Sequence, residues 1–241
     1  QQSRVSNDLQ DGLLRTRMVP FAQIVPRLHR LVRQTSKALA KEAELEVYGA
    51  DQELERNILE RMVAPLEHLL RNAVAHGIER PAERRAKGKS EIGKKTIHIG
   101  REATDVIITI ADDGGGVRLD AVRKRAIERG LLAPHAEVTD NDLVQFILAP
   151  GFSTVSEVSQ IAGRGVGLDV VISELKQAGG SLEIESMPGR GSTFLIRLPL
   201  TLAISQALLI QVGDETYAIP FASIEGVVRL ARADLEAYHE D

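Results

Sequence analysis

The feature that most restricts what this chain can fold into is a pair of strand–turn–strand units set far apart. Thr96 to Arg101 and Val106 to Ala111 are rich in Ile, Val and Thr and separated by a short polar link, which predicts one hairpin. Ser181 to Met187 and Ser192 to Leu198 flank Pro188-Gly189-Arg190-Gly191, which predicts a second. Between them lie helical patterns over Asp120 to Leu131, Asn141 to Leu148 and Leu168 to Ala178, the last stopping at Gly179-Gly180. A longer helical pattern, Asp51 to His76, precedes the first hairpin and carries Ile58, Met62, Leu66, Leu69, Leu70 and Val74 as its apolar stripe. Paired hairpins with intervening helices imply an α+β fold, a two-layer α/β sandwich with a mixed sheet and helices on one face. They exclude a doubly wound dinucleotide fold. With 241 residues, 43% hydrophobic and 27% charged, the chain suffices for one full core with flanking pieces.

The flanks divide the chain further. From Leu9 to about Leu39, Phe21, Ile24, Val25, Leu28, Leu31, Val32, Thr35 and Leu39 share one helical face against Arg27, Arg30, Arg33 and Lys37. Pro20 and Pro26 inside the stretch predict two helical pieces or one kinked helix, packed on a partner helix or on its own domain. Glu44 to Gly49 alternates as a short strand, Pro65 predicts a kink in the long helix, and Pro81 to Gly93 predicts a loop with one short helix. Pro150 to Gly167, with glycine, serine and threonine in place of periodic apolar residues, predicts a mobile loop. Pro199 marks a boundary beyond which Ala207 to Val212 and Tyr217 to Ile219 predict the first strands of a new β unit. The expected organisation is 1–45, part of a helical domain; 46–200, the main domain; and 201–241, a β unit cut short. A net charge of -4 argues against a nucleic-acid partner. The absence of cysteine excludes disulfides and thiolate metal sites. No apolar run is long enough to span a bilayer, so the expected location is cytoplasmic, without membrane insertion.

Four constellations fall in order at element ends. His68, Asn72 and His76 are spaced four apart and share one helical face, either a solvated polar stripe or a ligand face on which the Asn72 oxygen suits magnesium. Asp112-Asp113-Gly114-Gly115-Gly116 follows a strand; it is either a simple turn or a site where a carboxylate accepts a hydrogen bond from an exocyclic amino group such as that of adenine. Phe146 and Phe152, the latter in Pro150-Gly151-Phe152-Ser153-Thr154, are expected as exposed anchors of a lid, with core packing the alternative. Gly163-Arg164-Gly165-Val166-Gly167 precedes a helix and offers bare amides to a triphosphate.

Together these residues resemble the nucleotide-binding boxes of the histidine-kinase, gyrase, MutL and chaperone ATPase superfamily over about Glu46 to Pro199. The spellings His68-Leu69-Leu70-Arg71-Asn72-Ala73-Val74-Ala75-His76-Gly77, Pro150 to Thr154 and Gly163 to Val171 are similar to CheA-type histidine kinases in particular. That resemblance implies a kinase that binds ATP and magnesium and phosphorylates a histidine on a separate phosphotransfer domain, from which phosphate passes to a response regulator. It implies His68 and Asn72 as catalytic residues, with Asn72 holding magnesium, and Arg71 and His76 at the nucleotide. Asp112 is then the reader of the adenine amino group, with Gly114, Gly116 and Thr193 around it. Phe152, Ser153, Thr154, Gly163, Arg164, Gly165, Val166, Gly167 and Leu168 line the lid. Further implications are a CheW-like adaptor, chemoreceptors, a homodimer built through the segment up to about Lys41, and a CheW-like β-barrel domain beginning near Thr201. Arg17-Met18-Val19-Pro20 and Met62 to His68 resemble hybrid kinases that control type IV pili. Ala75, where an acidic residue is frequent in the family, departs from the pattern, as does the all-glycine Gly114 to Gly116.

Two rivals are weighed by residue. Clamp ATPases of the gyrase and MutL kind activate water with a glutamate four residues before the asparagine, where this chain has His68; Glu67 is next door but turned by about 100°. A silent nucleotide-binding scaffold is opposed by the complete set of boxes. His29, followed by Arg30 and not by an acid, is a poor phosphoacceptor.

Overall fold

A computed structural model describes residues 17–152, 168–200, 207–213 and 215–220. It divides into two units, residues 1–202 and 203–241.

In the first unit, a five-stranded sheet has the order β2-β4-β5-β7-β6, formed by β2 (Ala43–Tyr48), β4 (Gly93–Glu102), β5 (Asp105–Asp112), β6 (Ser181–Met187) and β7 (Gly191–Pro199). The two predicted hairpins are β4–β5 and β6–β7, each antiparallel. β5 pairs antiparallel with β7, while β2 adds a parallel edge on β4. The sheet is therefore mixed, as the α+β reading requires.

One face is covered by α1 (Val25–Ala38), α2 (Arg56–Asn72) and α6 (Leu168–Gln177). Strand alternation explains this. Ile97 and Ile99 of β4, Ile108 and Ile110 of β5 and Ile196 and Leu198 of β7 face the helices. They form one core with Leu28 and Val32 of α1, Met62, Leu66 and Leu69 of α2 and Val171 and Leu175 of α6. The intervening residues Lys94 and His98 are exposed, and His98 stacks on Tyr48 of the edge strand at 4.5 Å between ring centroids. α2 runs through Pro65 without interruption.

The amino-terminal stretch departs from the expected helix. Met18–Pro20 is a strand, β1, paired antiparallel with β3 (Glu53–Glu55), itself inside the region read as the start of the long helix. Pro20 closes that strand, and Pro26 sits in the first turn of α1, where a missing N–H costs nothing. Phe21, Ile24, Leu28 and Val32 enter the main core. The described part of 1–45 thus packs its apolar face into the core of its own unit, the second of the two options open to it.

A satellite core lies under α4 (Leu119–Glu128) and α5 (Asp140–Gln145), made by Val122, Ala126, Leu132, Leu143 and Phe152. The short helix expected in the polar stretch is α3 (Pro81–Ala86). The second unit contains the antiparallel hairpin β8 (Ala207–Val212) and β9 (Glu215–Pro220). Among the described residues, no helix is long and apolar enough to cross a membrane.

Candidate nucleotide site

The carboxy-terminal end of α2 meets the turn that follows β5. After Asn72 the helix widens into a π turn over Ala73–Gly77, closed by Ile78 N–H donating to the Ala73 carbonyl at 2.9 Å. Such turns expose carbonyls that an α-helix would bond internally. Lys41 caps two of them, donating to Val74 O at 2.9 Å and Ala75 O at 2.6 Å. His76 lies inside this wider turn, where a four-residue spacing no longer fixes a face shared with His68 and Asn72 as it does in an α-helix. His76 is exposed at its surface. Its imidazole is nonetheless held below the usual histidine range, first by burial of the ring and then by the Lys41 ammonium.

Gly77 ends this turn directly against the Asp112 carboxylate. A Cβ on Gly77 would lie 3.1 Å from Asp112 Oδ1, and one on Gly114 would lie 2.1 Å from Gly77 O. Gly115 N–H donates to Gly77 O at 2.8 Å, locking helix end to turn. Gly191, with φ +109°, passes so close that a Cβ would meet the Asp112 carbonyl oxygen at 1.8 Å. Gly77, Gly114 and Gly191 bring backbone close around this corner, where side chains of their own would not fit. Asp112 accepts from Gly114 N–H at 2.9 Å, and the Ser192 backbone lies near enough to favour its ionised form. Burial raises its pKa, opposed by the neighbouring Lys95 ammonium.

The two aspartates of the turn have different tasks. Asp113 turns away and pairs with Arg84, whose side chain is completely buried: Nη2 donates to Asp113 Oδ2 at 2.7 Å and Nη1 to Glu79 Oε2 at 3.1 Å. Lys89 donates to the Asp113 and Gly114 carbonyls at 2.8 and 2.7 Å. The stretch after α2 is thereby a brace for the turn. Gly116, φ +72°, packs on the Met187 carbonyl, where a Cβ would approach to 2.5 Å, so its conformation shapes the turn. Thr193 lies half-buried on β7 next to Ser192.

At the other end of the site, one helical turn back, the Asn72 amide nitrogen donates to His68 Nε2 at 2.8 Å. An Nε2 that accepts places the ring proton on Nδ1. The His68 pKa is lowered first by burial and then by Arg71, with Asp169 opposing, so the ring is neutral near pH 7. α6 packs against α2 and carries Asp169 in its first turn, a carboxylate whose field reaches His68. Helix amino termini favour anions. Glu67 is engaged elsewhere, in an ion pair with Arg27 of α1. Among the described residues, no group of three His, Cys, Asp or Glu side chains could hold a metal ion. A hard cation here would be held by the Asn72 oxygen together with oxygens of a ligand.

The structure thus brings together His68, Arg71 and Asn72 at one end and Asp112, Gly114 and Thr193 at the other. Phe152 is a correction: expected as an exposed lid anchor, it is 6% exposed and packed in the satellite core, with Phe146 half-buried beside it, because a ring of that size gains more from burial than a lid position offers. Ser153, Thr154, Gly163, Arg164, Gly165, Val166 and Gly167 lie outside the described residues. Lys41, Lys95 and Ser192 are neighbours of the site that motif reading missed. Lys95 alone left a trace, as a charge in the inward phase of an otherwise apolar β4.

The family model described as "Histidine kinase-, DNA gyrase B-, and HSP90-like ATPase" matches residues 62–202. Three curated relatives are named "Chemotaxis protein CheA". That of Bacillus subtilis (strain 168) is 42% identical over 240 residues, 99% of this chain and 36% of the relative. That of Treponema pallidum (strain Nichols) is 43% identical over 221 residues, covering 92% and 27%. That of Borreliella burgdorferi is 40% identical over 241 residues, covering 99% and 28%. The chain therefore spans about a third of the length of these relatives.

Proposed function

We propose, for a chain that belongs to the histidine kinase-, DNA gyrase B- and HSP90-like ATPase family, that it is the ATP-binding core of a protein-histidine kinase of the CheA type. It transfers the γ-phosphate of ATP to a histidine on a separate phosphotransfer domain, from which a response regulator receives it. The observation that carries this reading is the pairing at the phosphate end. A neutral His68 is bonded to Asn72 where a water-activating ATPase needs a carboxylate, and the nearest one, Glu67, is occupied by Arg27.

The residues divide the work. Asp112, an acceptor in a corner closely lined by glycine backbone, takes the amino group of adenine. The Asn72 amide is oriented by its bond to His68, leaving its oxygen for magnesium, which when bound neutralises charge on the phosphates. His68 keeps a proton on Nδ1 to donate to a phosphate oxygen, and its neutrality avoids repelling the metal. Arg71 and the amino terminus of α6 add positive potential on the same side. Phosphoryl transfer needs little more than such positioning and charge neutralisation.

The names of two relatives place them in chemotaxis; the same reading extends to a CheW-like adaptor, chemoreceptors, a homodimer of the full-length protein and a cytoplasmic location, which follow from the resemblance of the motifs to CheA-type kinases. The narrower reading, control of type IV pili, rests on Arg17 to Pro20 and Met62 to His68 alone. Incubation with labelled ATP and a separately made phosphotransfer domain tests the activity. Histidine-linked label on that domain is expected. Free phosphate without it indicates a clamp ATPase, and bound nucleotide without turnover a scaffold. Replacing His68 with Gln or Asn72 with Ala should lower labelling about a hundredfold; unchanged labelling in either removes the assigned roles.

A further inference from the structure

Lys95 is the least expected residue of the core. It lies on β4 in phase with Ile97 and Ile99, facing the helices, and its side chain is completely buried. Among the described residues its Nζ has no hydrogen-bond partner. A buried ammonium is retained at a cost unless a nearby charge gives it a task. The register supplies that charge. Lys95 is the cross-strand partner of Asp112, so the two side chains rise on the same face of adjacent strands. The charged groups acting on Lys95 come from all sides: Asp112 and Asp113 at the end of β5, Lys41 after α1, and Arg84 of α3. Arg84 is committed to Glu79 and Asp113, and Lys41 to the Val74 and Ala75 carbonyls. Lys95 is thus the cation left for Asp112.

We propose that Lys95 is a specificity-determining residue of the nucleotide site, holding Asp112 as an ionised, acceptor-only carboxylate and so selecting a purine with a 6-amino group over one with a 6-oxo group. This rests on the ATP reading given above. A protonated Asp112 both donates and accepts, and so serves a 6-oxo purine as well as adenine. Burial of Asp112 pushes it toward that form, and Lys95 is the first of the influences that oppose this. Burial lowers the pKa of Lys95 itself to about 8, which leaves it mostly charged at pH 7. Lys95 acts through Asp112 and is a positioning residue.

The test is the ratio of ATP to ITP affinity, measured by calorimetry at pH 6 and pH 8 on the whole chain. ITP differs from ATP in carrying a 6-oxo group and a proton on N1 in place of the 6-amino group, so the ratio cancels the phosphate end, where His68 lies. Wild type should prefer ATP at both pH values. In Lys95→Met the preference should fall about tenfold at pH 6 and recover in part as the pH rises and Asp112 gives up its proton; Lys95→Arg should keep the wild-type ratio. Lys95→Gln is a second neutral variant, read if the methionine variant does not show the wild-type circular dichroism spectrum. A ratio unchanged by both neutral substitutions at pH 6, or lowered equally at both pH values, overturns the role of Lys95 while leaving ATP binding intact. A wild-type chain that binds neither nucleotide overturns the nucleotide reading and this proposal with it.

Discussion

Replacing Gly114 with alanine tests the geometry of the site more directly than removing any of its side chains. The added methyl would sit 2.1 Å from Gly77 O, 2.4 Å from the Gly77 carbonyl carbon and 2.7 Å from Asp112 Oδ1. Carbon and oxygen do not approach within 3 Å without strain, so the turn and the end of α2 must separate by about 1 Å. That breaks the 2.8 Å bond from Gly115 N–H to Gly77 O, a loss of about 1 kcal/mol. Displacing packed backbone adds about 1–3 kcal/mol, and the stiffer unfolded chain returns about 0.5 kcal/mol. The expected net is a destabilisation of about 1.5–3.5 kcal/mol, read by urea unfolding followed by circular dichroism. Nucleotide affinity should fall by a comparable free energy, on the order of a hundredfold, because Asp112 moves relative to Asn72. Gly100→Ala is the control, for a Cβ at Gly100 on β4 meets nothing within 4 Å, and both readouts should match wild type. If Gly114→Ala binds ATP as wild type does and loses under 0.5 kcal/mol, the corner is not built by close backbone packing and the reasoning fails.

Glu67→Gln should leave ATP consumption and phosphotransfer unchanged and cost less than about 1 kcal/mol in urea unfolding, since its partner Arg27 is 63% exposed; a drop in turnover would give Glu67 a role in activating water. Arg84→Met removes a completely buried guanidinium from Glu79 and Asp113 and should destabilise by about 3 kcal/mol, with loss of ATP affinity following from release of the Asp113 brace. Stability should also fall with acid. The His68 pKa is lowered in the folded chain by burial, so its contribution is complete above the unfolded value near 6.5 and is lost as pH drops toward the folded one. His68→Gln should flatten the urea midpoint between pH 7 and pH 5, and an unaltered slope would show that its ring is not desolvated.

Much of the fold was legible because hairpins and amphipathic helices are local patterns. β4, β5, β6 and β7 extend the predicted strands by a few residues at most, and α4, α5 and α6 begin within a residue of expectation. β1 and β3 were hidden for the opposite reason. Each is three residues long, they pair across the chain from Met18 to Glu55, and both sit in sequence whose periodicity reads as helical. At the site, Asn72 and Asp112 stand out by residue type and place. Which of Asp112 and Asp113 faces the pocket is decided by Arg84, a contact across 29 residues that no spacing announces. Burial of Phe152 depends likewise on α4 and α5 coming together. Lys95 was visible as a charge out of phase, but its partner became evident only with the register of β4 on β5.

The satellite core has a kinetic meaning. Five residues under α4 and α5 are packed separately from the large cluster that joins the sheet to α1, α2 and α6. A small cluster opens at lower free energy than a large one. The α4–α5 region can therefore come apart and re-form while the sheet stays intact. Amide protons there should exchange with solvent faster than those of β4, β5 and β7, with Phe152 in the faster part, as hydrogen exchange would read.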